Sequence, residues 1–308
     1  MKYADGVDEF LARYHKVMPS DFFDRPVSEQ RQLYLNLSEA FPYPVPDNVA
    51  IKDHTLLSDG HELTFRAYLP KDPAGPGVIV YFHGGGFVVG SLESHHTLVA
   101  ELAANTGMTT IAADFPAAPE NPFPAAPEEC YALLCALRDN PDVLGVPADT
   151  EAPVLCGDSS GANLSVVLSL MCRDRGGPRP KGQGLIGPVL DFARWYDLKD
   201  DSGFAEEMQY YARAYCPDAA SAASPYVSPL VSAEFHGLPP AYIMSTELDD
   251  LQEDAVNYTA RLEHAGIPVQ LVIEPGLVHA PVRGRSVIPQ VADAWRRFCS
   301  AVKVMAAA

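Results

Sequence analysis

The sequence predicts an α/β fold with a mostly parallel central sheet covered by helices on both faces. Three observations predict it. Short apolar runs alternate with helix-spaced patterns from about residue 78 onward. A Gly-Asp-Ser-Ser-Gly pentapeptide at 157–161 lies between an apolar strand run and an apolar helix run. A polar, aromatic-rich stretch at 191–226 interrupts the alternation once.

Taken in order, residues 1–50 carry two helical patterns, one through Val7, Phe10, Leu11 and Tyr14 and one through Leu33, Leu37 and Phe41. The Pro-rich stretch 41–46 closes this region. Segments 55–58 and 62–69 flank Asp59-Gly60 and read as a hairpin. Strand runs follow at 78–82, 109–115, 153–156, 184–190, 241–245 and 269–273. Helices are expected at 93–106, 125–138, 160–174 and 251–265, the last stopped by Gly266, and a final one at 285–303. The 191–226 segment holds eight aromatic residues in 36 positions in a chain that is 9% aromatic. A structureless loop of that length is unusual in a compact domain, so an inserted helical lid is expected.

With 308 residues, 47% of them hydrophobic, the chain can fill a core. Its formal charge of −18 argues against nucleic acid and anionic membrane surfaces as partners, because both demand a basic face. No apolar signal core opens the sequence, and no run approaches the ~20 apolar residues of a membrane span. The six cysteines, at 130, 135, 156, 172, 216 and 299, form no C-x-x-C pair and no zinc-spaced cluster. Buried thiols in a reducing, cytoplasmic setting are expected, with no metal.

The candidate chemistry starts at Ser159. Glycines at 157 and 161 suit a sharp strand-to-helix turn that lifts a serine out of the backbone, where larger side chains would collide. A helix opening at Ser160 aims its dipole at developing negative charge. Upstream, the 78–82 strand runs into His83-Gly84-Gly85-Gly86-Phe87. Successive glycines present bare N–H groups, each worth about 3–4 kcal/mol to a tetrahedral oxyanion. The amides of Gly85, Gly86 and Ser160 are the expected donors, with Gly84 a further candidate and His83 holding the loop. Phe87 and Asp158, flanking the two motifs, are expected to touch substrate. A phosphate-binding loop is excluded, since no Lys-Ser/Thr and no G-x-G-x-x-G spacing occurs here.

A serine hydroxyl needs a base, and the base an orienting carboxylate. Of the downstream histidines, His264 sits at a helix end and His236 in a loop before Pro239-Pro240. His279 follows the strand-like segment 270–276, which is the position the chemistry requires. Five carboxylates compete at 247–254, Glu247, Asp249 and Asp250 foremost, and residue reading alone leaves the choice open.

Six ordered blocks between about 69 and 283 then resemble the hormone-sensitive lipase family of alpha/beta-hydrolases, nearest to its bacterial acetyl esterase and carboxylesterase members. They are HGGGFVVGSLESH (83–95), the APENPFPAAP stretch within 114–127, GDSSGAN, SPL (228–230), GLPPAYIMSTELDDLQED (237–254) and EPGLVHA (274–280). The resemblance implies Ser159 as nucleophile, Asp249 as acid, His279 as base and the glycine loop as oxyanion site. It also implies a helical cap built from 1–50 and 191–226 on a catalytic core of 51–190 and 227–308. The chain departs from the family at Asp114-Phe115-Pro116, where an arginine is usual, at Asp250 in place of proline, and at Pro281.

The function so implied is cofactor-free hydrolysis of small, short-acyl, neutral carboxylic esters through an acyl-enzyme. A homodimer is suggested by family analogy. The same triad would also serve an amidase or formamidase. A non-catalytic receptor on this fold is the remaining alternative, although such receptors lack the working histidine.

Overall fold

Strand β3 (Gly77–Phe82) is buried at every position, which explains its unbroken apolar sequence. Its side chains alternate between two cores, as a period of two demands. Val78, Val80 and Phe82 join a cluster with Leu133, Leu137, Leu164 and Leu168. Ile79 and Tyr81 join another with Leu98, Leu102, Trp295 and Phe298. Helices α4 (Ala125–Asp139) and α5 (Ser160–Arg175) therefore cover one face of the sheet. Helices α3 (Leu92–Thr106) and α10 (Pro289–Ala307) cover the other.

This arrangement is that of a computed structural model, which describes all residues except 1, 59, 199–202 and 280. Around β3 lie β1 (Val49–Ser58), β2 (His61–Pro70), β4 (Thr109–Ala113), β5 (Asp149–Asp158), β6 (Gly182–Ile186), β7 (Ala241–Leu248) and β8 (Val269–Val278). The sheet order is β1-β2-β4-β3-β5-β6-β7-β8. From β4 to β8 all pairing is parallel, and β2 joins β1 and β4 antiparallel. The β1–β2 hairpin pairs Ser58 with His61. Of its expected turn residues, Gly60 has φ 83°, while Asp59 lies outside the described residues.

The chain leaves β3 toward β4 and returns to β3's other side at β5. The strand order reverses there, and such switch points open a crevice at the carboxyl ends of the strands. The motifs emerge at this edge: His83 directly after β3, Ser159 after β5, Asp249 after β7 and His279 after β8. Elements that looked unrelated in sequence thus end side by side.

Outside the layered core, α1 (Val7–Val17) and α2 (Val27–Ala40) form from the N-terminal patterns, and α6 (Phe192–Tyr196), α7 (Gly203–Tyr215) and α8 (Ala219–Ala222) from the aromatic segment. The two groups meet directly. Gln30 Nε2 donates to Tyr210 Oη at 2.8 Å, and Phe23 packs edge-on against Tyr211. Helix α9 (Gln252–His264) packs beside α5 on its sheet face.

Several strands run longer than expected, β1 from Val49, β5 from Asp149 and β8 to Val278, β4 ends early at Ala113, and two further boundaries have a clear cause. Strand β6 stops at Ile186 because Gly187 turns the chain at φ 49° and Pro188 has no N–H to extend the ladder. The last helix begins at Pro289, since 281–286 winds as a 3₁₀ turn closed by Val287 and Ile288 N–H bonds to the Gly284 carbonyl. Gly284 is needed there, as a Cβ would lie 2.8 Å from the Phe10 ring.

Candidate active site

Between β5 and α5 the backbone turns so sharply that Ser159 adopts φ 52° and ψ −114°, a conformation that ordinary residues avoid. The flanking glycines are steric necessities. A Cβ on Gly157 would lie 2.4 Å from the Gly161 backbone, and one on Gly161 would lie 2.0 Å from the Phe82 carbonyl oxygen. Ser159 N–H donates to the Ile186 carbonyl at 2.8 Å, fixing the elbow to the end of β6.

The Ser159 Oγ lies 3.1 Å from His279 Nε2, and His279 Nδ1 lies 2.7 Å from Asp249 Oδ2. Asp249 is the carboxylate that the fold brings to the ring. Its other oxygen accepts the Leu251 amide at 2.9 Å. The competing acids go elsewhere: Glu247 accepts the Gly276 amide, and Asp254 accepts the amides of Leu190 and Asp191. The Asp249 side chain is fully sealed while that of His279 is 26% exposed, so the base is reachable and its orienter is not. Burial alone would depress the imidazole pKa. The Asp249 charge and hydrogen bond outweigh it, so His279 titrates above the ordinary imidazole value. With Asp249 ionised, Nδ1 carries the proton and Nε2 faces the serine as acceptor.

The glycine loop closes over this site. Gly85 (φ 122°) and Gly86 (φ 62°) line the same cavity as Ser159 and His279. A Cβ on Gly85 would meet the Val89 carbonyl at 2.1 Å, and one on Gly86 the Tyr211 ring at 2.2 Å. Among the described residues no protein acceptor takes the N–H groups of Gly85, Gly86 or Ser160. Gly84 differs from expectation. Its N–H donates to Asp158 Oδ1 at 3.1 Å and is not available to a substrate. His83 holds the loop, with Nδ1 3.0 Å from the Gly84 carbonyl and its ring stacked on Phe115 at 4.3 Å. Burial, then the neighbouring His95, drives its pKa down to about 4, so it stays neutral. Phe115 thus occupies the departure from the family pattern as a stacking platform.

The two residues expected to touch substrate are both engaged by other protein groups. Phe87 is buried, its ring stacked on Tyr215 at 3.8 Å, and its N–H reaches Ser160 Oγ at 3.4 Å; it supports the loop from behind. Asp158 borders the cavity, but its oxygens are committed to Tyr81 Oη at 2.7 Å, the Gly84 amide and His95 Nε2 at 3.3 Å. Burial would raise its pKa; the His95 ring and Tyr81 hydroxyl overcome this and hold it well below the usual carboxylate range. Asp158 therefore ties the glycine loop to the nucleophile elbow. Asp158→Asn is expected to lower kcat by about 10²-fold, the cost of misplacing catalytic groups by roughly an ångström. Steady-state kinetics beside a melting curve check this; an unchanged kcat contradicts the positioning role.

The cavity has a volume of about 210 Å³, below the ~300–1,000 Å³ typical of pockets for larger ligands. Its walls are largely apolar, from Phe10, Leu11, Met18, Phe192, Phe204 and Met208. Three wall or support residues were not evident in sequence: Glu207, Arg283 and Arg31. Arg31 donates to the carbonyls of Val88 and Ala118 and pairs with Glu120, clamping the loop from α2. A helical wheel places Glu207 beside Phe204 and Tyr211 on α7, the one signal available for it. Among the described residues no group of three His, Cys, Asp or Glu is placed to hold a metal ion.

Known proteins resemble this chain in sequence and fold. A family model described as the alpha/beta hydrolase fold matches residues 79–283. An ethyl acetate hydrolase of Pseudomonas putida is 33% identical over 285 residues, 89% of this chain and 88% of that protein. The carboxylesterase NlhH of Mycobacterium tuberculosis is 31% identical over 309 residues, covering 96% and 95%. A solved esterase of Pyrobaculum calidifontis superposes with a TM-score of 0.83 at 29% identity, covering 96% and 98%. The matched span contains the glycine loop, the serine elbow, Asp249 and His279 in the order found at the strand ends, and the chain belongs to the alpha/beta hydrolase family, within its hormone-sensitive-lipase-like esterases.

Proposed function

We propose that this carboxylic ester hydrolase cleaves small, short-acyl esters without negative charge through a covalent acyl-enzyme on Ser159. The observation that carries the reading is the continuous hydrogen-bonded chain Ser159–His279–Asp249 beside the unpaired amides of Gly85, Gly86 and Ser160. His279 Nε2 takes the serine proton as Oγ attacks the ester carbonyl. The amides hold the oxyanion, assisted by the α5 dipole. Asp249 keeps the working tautomer and stabilises the imidazolium. The imidazolium then protonates the departing alkoxide, the C–O bond breaks, and water repeats the sequence on the acyl-enzyme. Helices α1, α2 and α7 act as the cap that encloses the substrate, each contributing side chains to the cavity. Six free cysteines, five of them buried, favour a reducing, cytoplasmic setting.

The small cavity supports short acyl chains. Among p-nitrophenyl esters, kcat/KM is expected to be highest for acetate or hexanoate and about tenfold or more lower for decanoate. An optimum at decanoate overturns the length assignment.

A further inference from the structure

Among the described residues, Asp158, Arg283 and Glu207 are the acidic and basic side chains that border the catalytic cavity beside His279. Asp158 is engaged, and Arg283 is engaged except at one terminal nitrogen, which is buried without a hydrogen-bond partner among the described residues. Asp158 accepts from Tyr81 and Gly84 and contacts His95. Arg283 donates to the Ser94 carbonyl at 3.2 Å and lies over the Tyr34 ring at 4.5 Å. Their opposite charges offset each other in the wall. Glu207 has neither kind of support. It projects from α7 among Phe204, Met208 and Tyr211 and is half-buried. Among the described residues its carboxylate makes no hydrogen bond or ion pair. Burial pushes its pKa up, while His279 opposes that and Asp249 adds to it, and its charge also acts on Tyr14, Tyr34 and Tyr211 of the same wall, so the catalytic pair lies within its electrostatic reach.

A half-buried carboxyl group in an apolar wall keeps its capacity to accept a hydrogen bond, and it loses water without replacement when a substrate covers it. In a substrate cavity the missing partner can come from the ligand. The imidazole protonates the leaving alkoxide, so the alcohol half of an ester lies on the His279 side of the cavity that Glu207 also lines. Resting on the esterase reading above, we infer that Glu207 is a specificity-determining residue that accepts a hydrogen bond from an O–H or N–H donor on the alcohol half of the substrate. The preferred esters are then short acyl esters of hydroxylated or amino alcohols. A plain alkyl alcohol leaves Glu207 unpaired in the complex and is selected against, because unsatisfied buried polar groups discriminate more strongly than apolar contact.

The test compares kcat/KM for four butyrate esters, those of propanol, ethylene glycol, 2-(dimethylamino)ethanol and choline. The second supplies a neutral O–H, the third a cationic N–H, and the fourth a cation without a donor. The wild type is expected to favour the glycol or dimethylaminoethyl ester over the propyl ester by about tenfold or more, and choline by less. Glu207→Leu should reduce that preference to within about twofold, whereas Glu207→Gln, which keeps an acceptor oxygen, should retain it for the glycol ester only. Wild-type ratios within twofold, a choline ester as favoured as the dimethylaminoethyl ester, or a preference that survives Glu207→Leu overturns the inference. Turnover of p-nitrophenyl acetate, run in parallel, separates the two readings. If it persists while the ratios are flat, only the Glu207 assignment fails; if it is absent, the esterase reading fails and takes this inference with it.

Discussion

Ser159→Ala is expected to abolish ester hydrolysis, lowering kcat by at least about 10⁴-fold, while the protein melts at a temperature close to that of the wild type. The size of the effect follows from covalent catalysis. With Oγ removed, His279 has no hydroxyl to activate, and the remaining amides can only assist direct attack by water. A 10⁴-fold loss corresponds to about 5.4 kcal/mol of barrier. The fold should not suffer, because among the described residues the Ser159 side chain makes its one hydrogen bond to His279, and the elbow is held by backbone: Ser159 N–H to Ile186 and Asn163 N–H to the Ser159 carbonyl. The substitution keeps a Cβ in the same positive-φ turn and adds no new steric conflict. Measured kcat for p-nitrophenyl acetate, with circular dichroism and a melting curve, checks both halves. A variant that retains more than a tenth of the activity contradicts the nucleophile assignment.

Asp249→Asn should cost about 10⁴-fold in kcat and also move the pH profile. An asparagine can present N–H toward Nδ1, which turns the imidazole to the wrong tautomer and leaves Nε2 protonated against the serine. The carboxylate also opposes desolvation and keeps the His279 pKa above its ordinary value. The base works only when neutral. In the wild type, kcat/KM should therefore fall as pH drops through a value above 6.5, the ordinary imidazole value. With the charge removed, burial prevails and the acid limb of the residual activity moves to lower pH. A limb that stays in place shows that the titration belongs to another group.

Much of this architecture is legible in sequence because burial is written into it. The β3 run is apolar throughout, and α5 is buried from Ser160 to Cys172 with mostly small or apolar side chains, as doubly covered elements require. Gly157 and Gly161 announce the elbow because no larger residue fits there. The order of strands and the reactive residues that follow them could then be read with few alternatives. What escaped depends on contacts distant in sequence. Gly84 looks identical to its two neighbours until Asp158 is folded against it. Phe87 follows the glycines as a plausible substrate contact, yet Tyr215, more than a hundred residues later, covers its ring. Among the carboxylates at 247–254 the chain carries no local mark of which one meets His279, since each suits the start of a helix. Asp249 is distinguished by its place directly after β7, whose last residue Leu248 pairs with Val278 at the end of β8. The polar wall formed by Glu207 and Arg283 draws on two segments that only tertiary packing unites.

The claim on which the mechanism depends is that a single activated serine, at position 159, forms a covalent bond to the electrophile. Peptide mapping by mass spectrometry after treatment with a fluorophosphonate tests it directly. The expected result is one phosphonyl group per chain on Ser159, strongly reduced in Asp249→Asn and absent in Ser159→Ala, with loss of turnover in proportion to labelling. An unlabelled protein that still hydrolyses esters, or a label on another residue, would contradict it.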